Sequence, residues 1–204
     1  MYQLVQNAPM SQGRPLEFDP HLALQRAMEL FWCRGYEATS LQELLTTMDI
    51  SKSSFYQAFG SKHELFERCL KAFRERQVGR MTMALEQASS GKAFLRNMLL
   101  AAAREAATTE HPKGCLIMNT ATEFSGRDAV VADLVGEGAR QFAGVFRSAI
   151  ERAQTDGEIA PDKDAEILAR YVVSTMSGLK TMAKAGMPAA AIEDVAEVAL
   201  TALV

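Results

Sequence analysis

The chain has 204 residues, 48% of them hydrophobic, which is enough to bury the core of one mid-sized domain or of a small domain joined to a larger one. Its longest apolar run, Met98 to Ala103, is far short of a membrane span, and the first fifteen residues are polar rather than signal-like, so a cytosolic protein is expected. The net charge of −3 is unevenly spread: ten Lys and Arg face nine Asp and Glu between Arg14 and Arg80, and twelve face sixteen elsewhere, so only the N-terminal part suits a polyanion.

Residues 1–13 lack periodicity and read as a flexible tail. Arg14 either stands in solvent or reaches from a flexible arm into a narrow minor groove, where the negative potential is enhanced. Asp19-Pro20 opens a helix as N-cap and first-turn proline, Leu24, Ala27, Met28 and Phe31 give it a core stripe, and Gly35 ends it. Trp32 and Tyr36 are expected to pack this helix onto the next two, with Cys33 as a small buried hydrophobe.

Ser40 and Glu43 form a capping box ahead of Leu41, Leu44, Leu45 and Met48, the stripe of a short helix. Asp49-Ile50-Ser51 leaves room only for a tight turn, in which Asp49 tolerates a left-handed conformation and Ser51 caps the next helix. That helix, Lys52 to Phe59, buries little beyond Phe55 and Phe59 and presents Lys52, Ser53, Tyr56 and Gln57 on its other face. Gly60 stops it, and Ser61 with Glu64 predicts a second capping box for a helix running to about Ala88. Helix, tight turn and small polar-faced helix describe a helix-turn-helix.

The run from Ile50 to Phe66, ISKSSFYQAFGSKHELF, resembles the signature of the TetR/AcrR family of bacterial transcriptional regulators. Arg14-Pro15 is similar to the basic N-terminal arm of that family, and Ala27 to Phe31 with Gly35 to Ser40 resembles its first helix and exit, whereas Met48-Asp49 departs from the usual small-residue-plus-glycine pair. The resemblance implies an all-α fold: an N-terminal three-helix DNA-binding domain over residues 14–62 and a C-terminal helical ligand-binding and dimerisation domain over 63–204. It also implies roles. Arg14, Thr39 or Ser40, Tyr56 and Lys62 would contact the DNA backbone or groove, and Lys52, Ser53, Ser54 and Gln57 would reach base edges, where lysine suits guanine and glutamine suits adenine.

Further along, Arg74, Arg76 and Arg80 read as a solvated face beyond the DNA-binding turns. Ser89-Ser90-Gly91 breaks the pattern, and Ala93 to Thr108 resumes it. The loop 110–114 leads into Cys115 to Glu123, apolar at first and then polar at Asn119, Thr120, Thr122 and Glu123. Such a segment either lines a cavity or packs on one side and meets solvent on the other. Met98, Cys115, Met118, Thr122, Phe146 and Met176 are the candidate pocket residues, although methionine and phenylalanine stripes also serve a plain core. Helices are expected over Arg127 to Thr155, from Pro161-Asp162 to about Met182, and through Ile192 to Leu203. The last two are rich in small residues, and the resemblance places the dimer interface there.

Three cysteines, Cys33, Cys69 and Cys115, are an odd number without metal spacing, which fits a reducing compartment. Cys115 lies four residues from His111, but Pro112 and Gly114 intervene, and no phosphate loop, nucleophile elbow or paired-carboxylate motif accompanies them. His63 and Glu67, also four apart, read as surface side chains. The sequence therefore predicts a DNA-binding regulator without cofactor, metal or catalytic residues, and the resemblance implies a homodimeric repressor released from operator DNA by a small-molecule effector. Two alternatives stay open: a redox- or electrophile-sensing regulator acting through Cys115, and a helical enzyme or interaction module with an incidental helix-turn-helix.

Overall fold

The computed structural model describes residues 18–124 and 126–203. Among them run nine helices and no strand: α1 Pro20–Arg34, α2 Leu41–Met48, α3 Lys52–Phe59, α4 Lys62–Gln87, α5 Gly91–Thr108, α6 Leu116–Phe124, α7 Ala129–Thr155, α8 Ala165–Lys184 and α9 Ala189–Thr201. Arg14 lies outside the described residues.

Most starts are set by a side-chain oxygen that accepts the orphan amides of the first turn. Asp19 accepts from His21 N at 2.8 Å and Leu22 N at 3.3 Å ahead of Pro20. Ser51, Ser61, Ser90 and Asp128 do the same for α3, α4, α5 and α7. The expected opening of α8 at Pro161-Asp162 is three residues early, because the capping oxygen is that of Asp164, which accepts from Glu166 N and Ile167 N. Only half of the second capping box exists: Ser61 Oγ accepts from Glu64 N, while Ser61 N donates to the Phe59 carbonyl.

Helices α1 to α3 and the start of α4 close around Phe31, Leu44, Met48, Phe55 and Phe66, each 2% exposed or less. Helix α4 leaves this unit and packs along α7, and α5 lies against α7, α8 and α9. Gly91 is no mere breaker. A Cβ there would meet the Ala149 carbonyl oxygen at 2.1 Å and Ala153 N at 2.7 Å, so glycine lets the first turn of α5 seat on the backbone of α7. No described helix is long and apolar enough to cross a membrane.

Candidate nucleic-acid interface and regulatory cavity

The turn between α2 and α3 owes its shape to Asp49, the only non-glycine residue with positive φ among those described (φ 59°, ψ 50°). Ile50 N donates to the Leu45 carbonyl at 3.2 Å and Asp49 N to that of Thr46 at 3.3 Å, a Schellman motif that satisfies the last carbonyls of α2 and starts α3 at an angle. Arg26 on α1 donates to the Met48 carbonyl, tying the turn to the scaffold. At the other end, Gly60 (φ 77°) terminates α3, and Arg68 on α4 donates to the Ala58 carbonyl at 2.8 Å. The short helix is thus pinned at both ends with Phe55 and Phe59 buried beneath it.

Lys52, Ser53, Tyr56 and Gln57 stand exposed together on the outer face of α3. Ser54 is only half-exposed, and its hydroxyl shares a 2.8 Å hydrogen bond with Ser51 Oγ inside the cap. Thr39 does not fit the phosphate role: it is wholly buried, and its hydroxyl donates to the Gly35 carbonyl at 2.6 Å. Its neighbour Ser40 is exposed at the N-terminus of α2, where its oxygen accepts from Glu43 N and its hydroxyl and backbone N–H meet the Glu43 carboxylate. Those bonds from Ser40, reinforced by Arg34, hold the Glu43 carboxyl below its ordinary pKa. Lys62 begins α4 with its ammonium 4.2 Å from the centre of the Tyr36 ring. Ser40 and Lys62 thus stand at the N-termini of α2 and α4, ends where the helix dipole favours anions.

The junction with the remaining helices was not legible in the sequence. Glu123, near the end of α6, accepts from the backbone N–H groups of Tyr36 at 3.0 Å and Glu37 at 2.7 Å, 87 and 86 residues away. Phe124 stacks on Phe66 and tilts against Tyr36. Trp32 packs edge-on against Phe73 and donates Nε1–H to the Gly114 carbonyl, and Lys113 pairs with Glu29. His63 is no isolated surface side chain, since it sits 3.3 Å from both Glu67 and Asp128. Tyr36, half-buried in this cluster, has its phenol pKa raised by desolvation and by Glu37. Cys33 is exposed rather than a buried hydrophobe, because its position on α1 turns away from the core that Phe31 enters.

Between α4, α5, α6, α7 and α8 lie two adjoining compartments, about 540 Å³ and about 60 Å³, which share Gln77, Met81, Met98, Cys115, Met176 and Lys180. Met118 and Phe146 line the smaller one. Five of the six candidate pocket residues thus meet in one space. Thr122 does not; one helical turn beyond Met118, it lines a separate cavity between α1 and α6. Of the three guanidiniums expected on a solvated face, Arg76 and Arg80 are exposed, Arg80 at the border of the larger compartment, whereas Arg74 is largely covered at 15%. Lys180 donates to Glu105 at 2.8 Å. Burial pushes the Cys115 thiol pKa up, partly offset by backbone N–H groups and the Lys180 charge, and His111 stands in solvent at 90% exposure.

Two family models match the chain. "Bacterial regulatory proteins, tetR family" covers residues 23–69, and "Tetracyclin repressor-like, C-terminal domain" covers 91–199. Among curated relatives, the uncharacterised HTH-type transcriptional regulator YezE of Bacillus subtilis is 32% identical over 192 residues, 94% of this chain and 99% of its own. The HTH-type transcriptional repressor ComR of Escherichia coli is 29% identical over 194 residues, 95% of this chain and 91% of its own. The TetR family regulator CifR, solved as a cysteine mutant in complex with 26-bp double-strand operator DNA, superposes with a TM-score of 0.82 at 33% identity, over 94% of this chain and all of that one. The chain belongs to the TetR family and is a helix-turn-helix, DNA-binding transcriptional regulator.

Proposed function

We propose that this protein is a cytoplasmic repressor, dimeric through α8 and α9, that a small molecule in the central cavity releases from its operator. One observation carries the DNA-reading role: Lys52, Ser53, Tyr56 and Gln57 form an exposed polar face on a helix held rigidly from below. In this reading Lys52, Ser53 and Gln57 reach base edges, with Ser54 confined to its cap, while Ser40, Tyr56 and Lys62 hold phosphates. The domain boundary falls at the start of α4, near residue 62, and the chain carries no catalytic role. The operator-bound relative supports the assignment of duplex DNA as partner.

Ile167 and Tyr171 on α8 and Val195 and Val198 on α9 are large apolar side chains left exposed, Val198 at 69%, and they supply the surface for a second copy. A two-fold dimer places two α3 helices in half-sites about 34 Å apart. The cavity touches α4 through Met81 and α6 through Met118, and both helices grip the DNA-binding unit, α6 through Glu123. A ligand that binds the α6 position of one state better than that of the other shifts the spacing of the two α3 helices, and only that difference in affinity lowers DNA binding.

The test is selection of bound duplexes from a random pool. A palindromic consensus with half-sites one helical turn apart is expected, and unselective or absent duplex binding defeats the proposal. A second reading makes Cys115 the sensor, favoured by its place in both compartments beside Lys180. Against it stands desolvation, which raises the thiol pKa and so disfavours the reactive thiolate. Mild oxidation of the parent and of Cys115→Ser separates the two: equal operator release by both excludes the thiol.

A further inference from the structure

The larger compartment has an uneven charge lining. Arg80, Lys113 and Lys180 border it against Glu105 alone. Lys113 spends its charge on Glu29, and Lys180 gives one of its three N–H donors to Glu105. Arg80 forms no ion pair or hydrogen bond among the described residues. Much of the remaining lining is apolar: Trp32 and Phe73 meet edge-on with ring centres 4.9 Å apart, and Met81, Met98 and Met176 add flexible thioethers that mould to a variable apolar body. A concave site with surplus positive charge favours an anion, and a guanidinium without a protein partner matches a carboxylate through two parallel N–H bonds.

Resting on the reading of this cavity as the effector site, we infer that the effector is an apolar monocarboxylate. Its carboxylate lies between Arg80 and Lys180, and its hydrocarbon or aromatic body lies against Trp32, Met81, Met98 and Met176. An amine is repelled by the same groups, and an uncharged amide leaves Arg80 unanswered. A bare phosphate or sulfate leaves the apolar wall unfilled.

Trp32 is the single tryptophan of the chain and lines the site, so its emission reports occupancy directly. The full-length protein is titrated with octanoate, octanamide and octylamine, reading Trp32 emission and, in parallel, release of a labelled duplex recovered from the random pool. Octanoate is expected to bind at least ten-fold more tightly than octanamide, with octylamine weakest. Arg80→Gln, at an exposed position, is expected to cost octanoate about ten-fold in affinity and so to abolish the preference for acid over amide. Equal binding of acid and amide, tightest binding of the amine, or an unchanged preference in Arg80→Gln overturns the carboxylate assignment. Should amide or amine release the duplex as well as the acid does, the cavity remains the effector site and the ligand class is wrong. If octanoate shifts Trp32 emission selectively yet the duplex stays bound, the carboxylate site stands and the effector reading fails. No change of emission with any of the three overturns both.

Discussion

Side chains of the same kind do different work here according to where their hydrogen bonds already go. Ser40 and Ser54 both belong to caps, but Ser40 is exposed at a helix start, whereas Ser54 is half-covered and committed to Ser51. Lys62→Ala is expected to weaken duplex binding about equally for all sequences and to reduce the salt dependence, and Gln57→Ala to cost about 1–3 kcal/mol at one base position only. Fluorescence anisotropy with a panel of single-base operator variants checks both, and equal uniform losses would contradict the division of roles. Glu43 gives a pH dependence. Its folded-state pKa is lowered, chiefly by Ser40, so its contribution is complete above the unfolded value and is lost as pH falls through the folded one. Thermal melts of the parent and Glu43→Gln should therefore differ at neutral pH and converge under acid.

At the scale of the element, backbone constraints rather than apolar stripes place the helices. Asp49 holds a left-handed conformation that costs an ordinary L-residue roughly 1–2 kcal/mol and a β-branched one more. Asp49→Gly is expected to leave stability unchanged or raised, and Asp49→Val to lower it, by chemical denaturation. Gly91→Ala drives a methyl group into the α7 backbone and is expected to cost about 1–3 kcal/mol. Helix α6 has the most consequential placement. Glu123→Ala removes the acceptor of two amides, so Tyr36 and Glu37 should lose hydrogen-exchange protection, and operator affinity should respond less to an effector. Unaltered exchange at both amides would remove α6 from the coupling.

For the whole molecule, two contiguous units share α4, and the exposed apolar residues of α8 and α9 face outward. Val198→Asp places a charge where a second copy would bury it, a change expected to yield monomers in sedimentation and a loss of operator affinity, since a single α3 makes few contacts. A dimer that survives both Val198→Asp and Tyr171→Asp would move the interface elsewhere.

Local features could be read from the order of residues alone. The capping oxygens of Asp19, Ser40, Ser51 and Ser61, the left-handed Asp49 and the stop at Gly60 act on amides and carbonyls within a few residues, so spacing was enough to locate α1 to α4 and their polar face. Where the starts of α5 and α8 differ from those expected, they differ by a few residues at the cap. Everything that joins distant segments came from packing. The burial of Thr39, the Glu123 grip on Tyr36 and Glu37, the exposure of Cys33 and the meeting of Arg80, Lys180 and Trp32 bring together or separate groups on different helices, many of them tens of residues apart. Periodicity assigns a residue to a face of its own helix, but which neighbour covers that face is fixed only when the helices pack, because burial and long-range hydrogen bonds belong to pairs of elements.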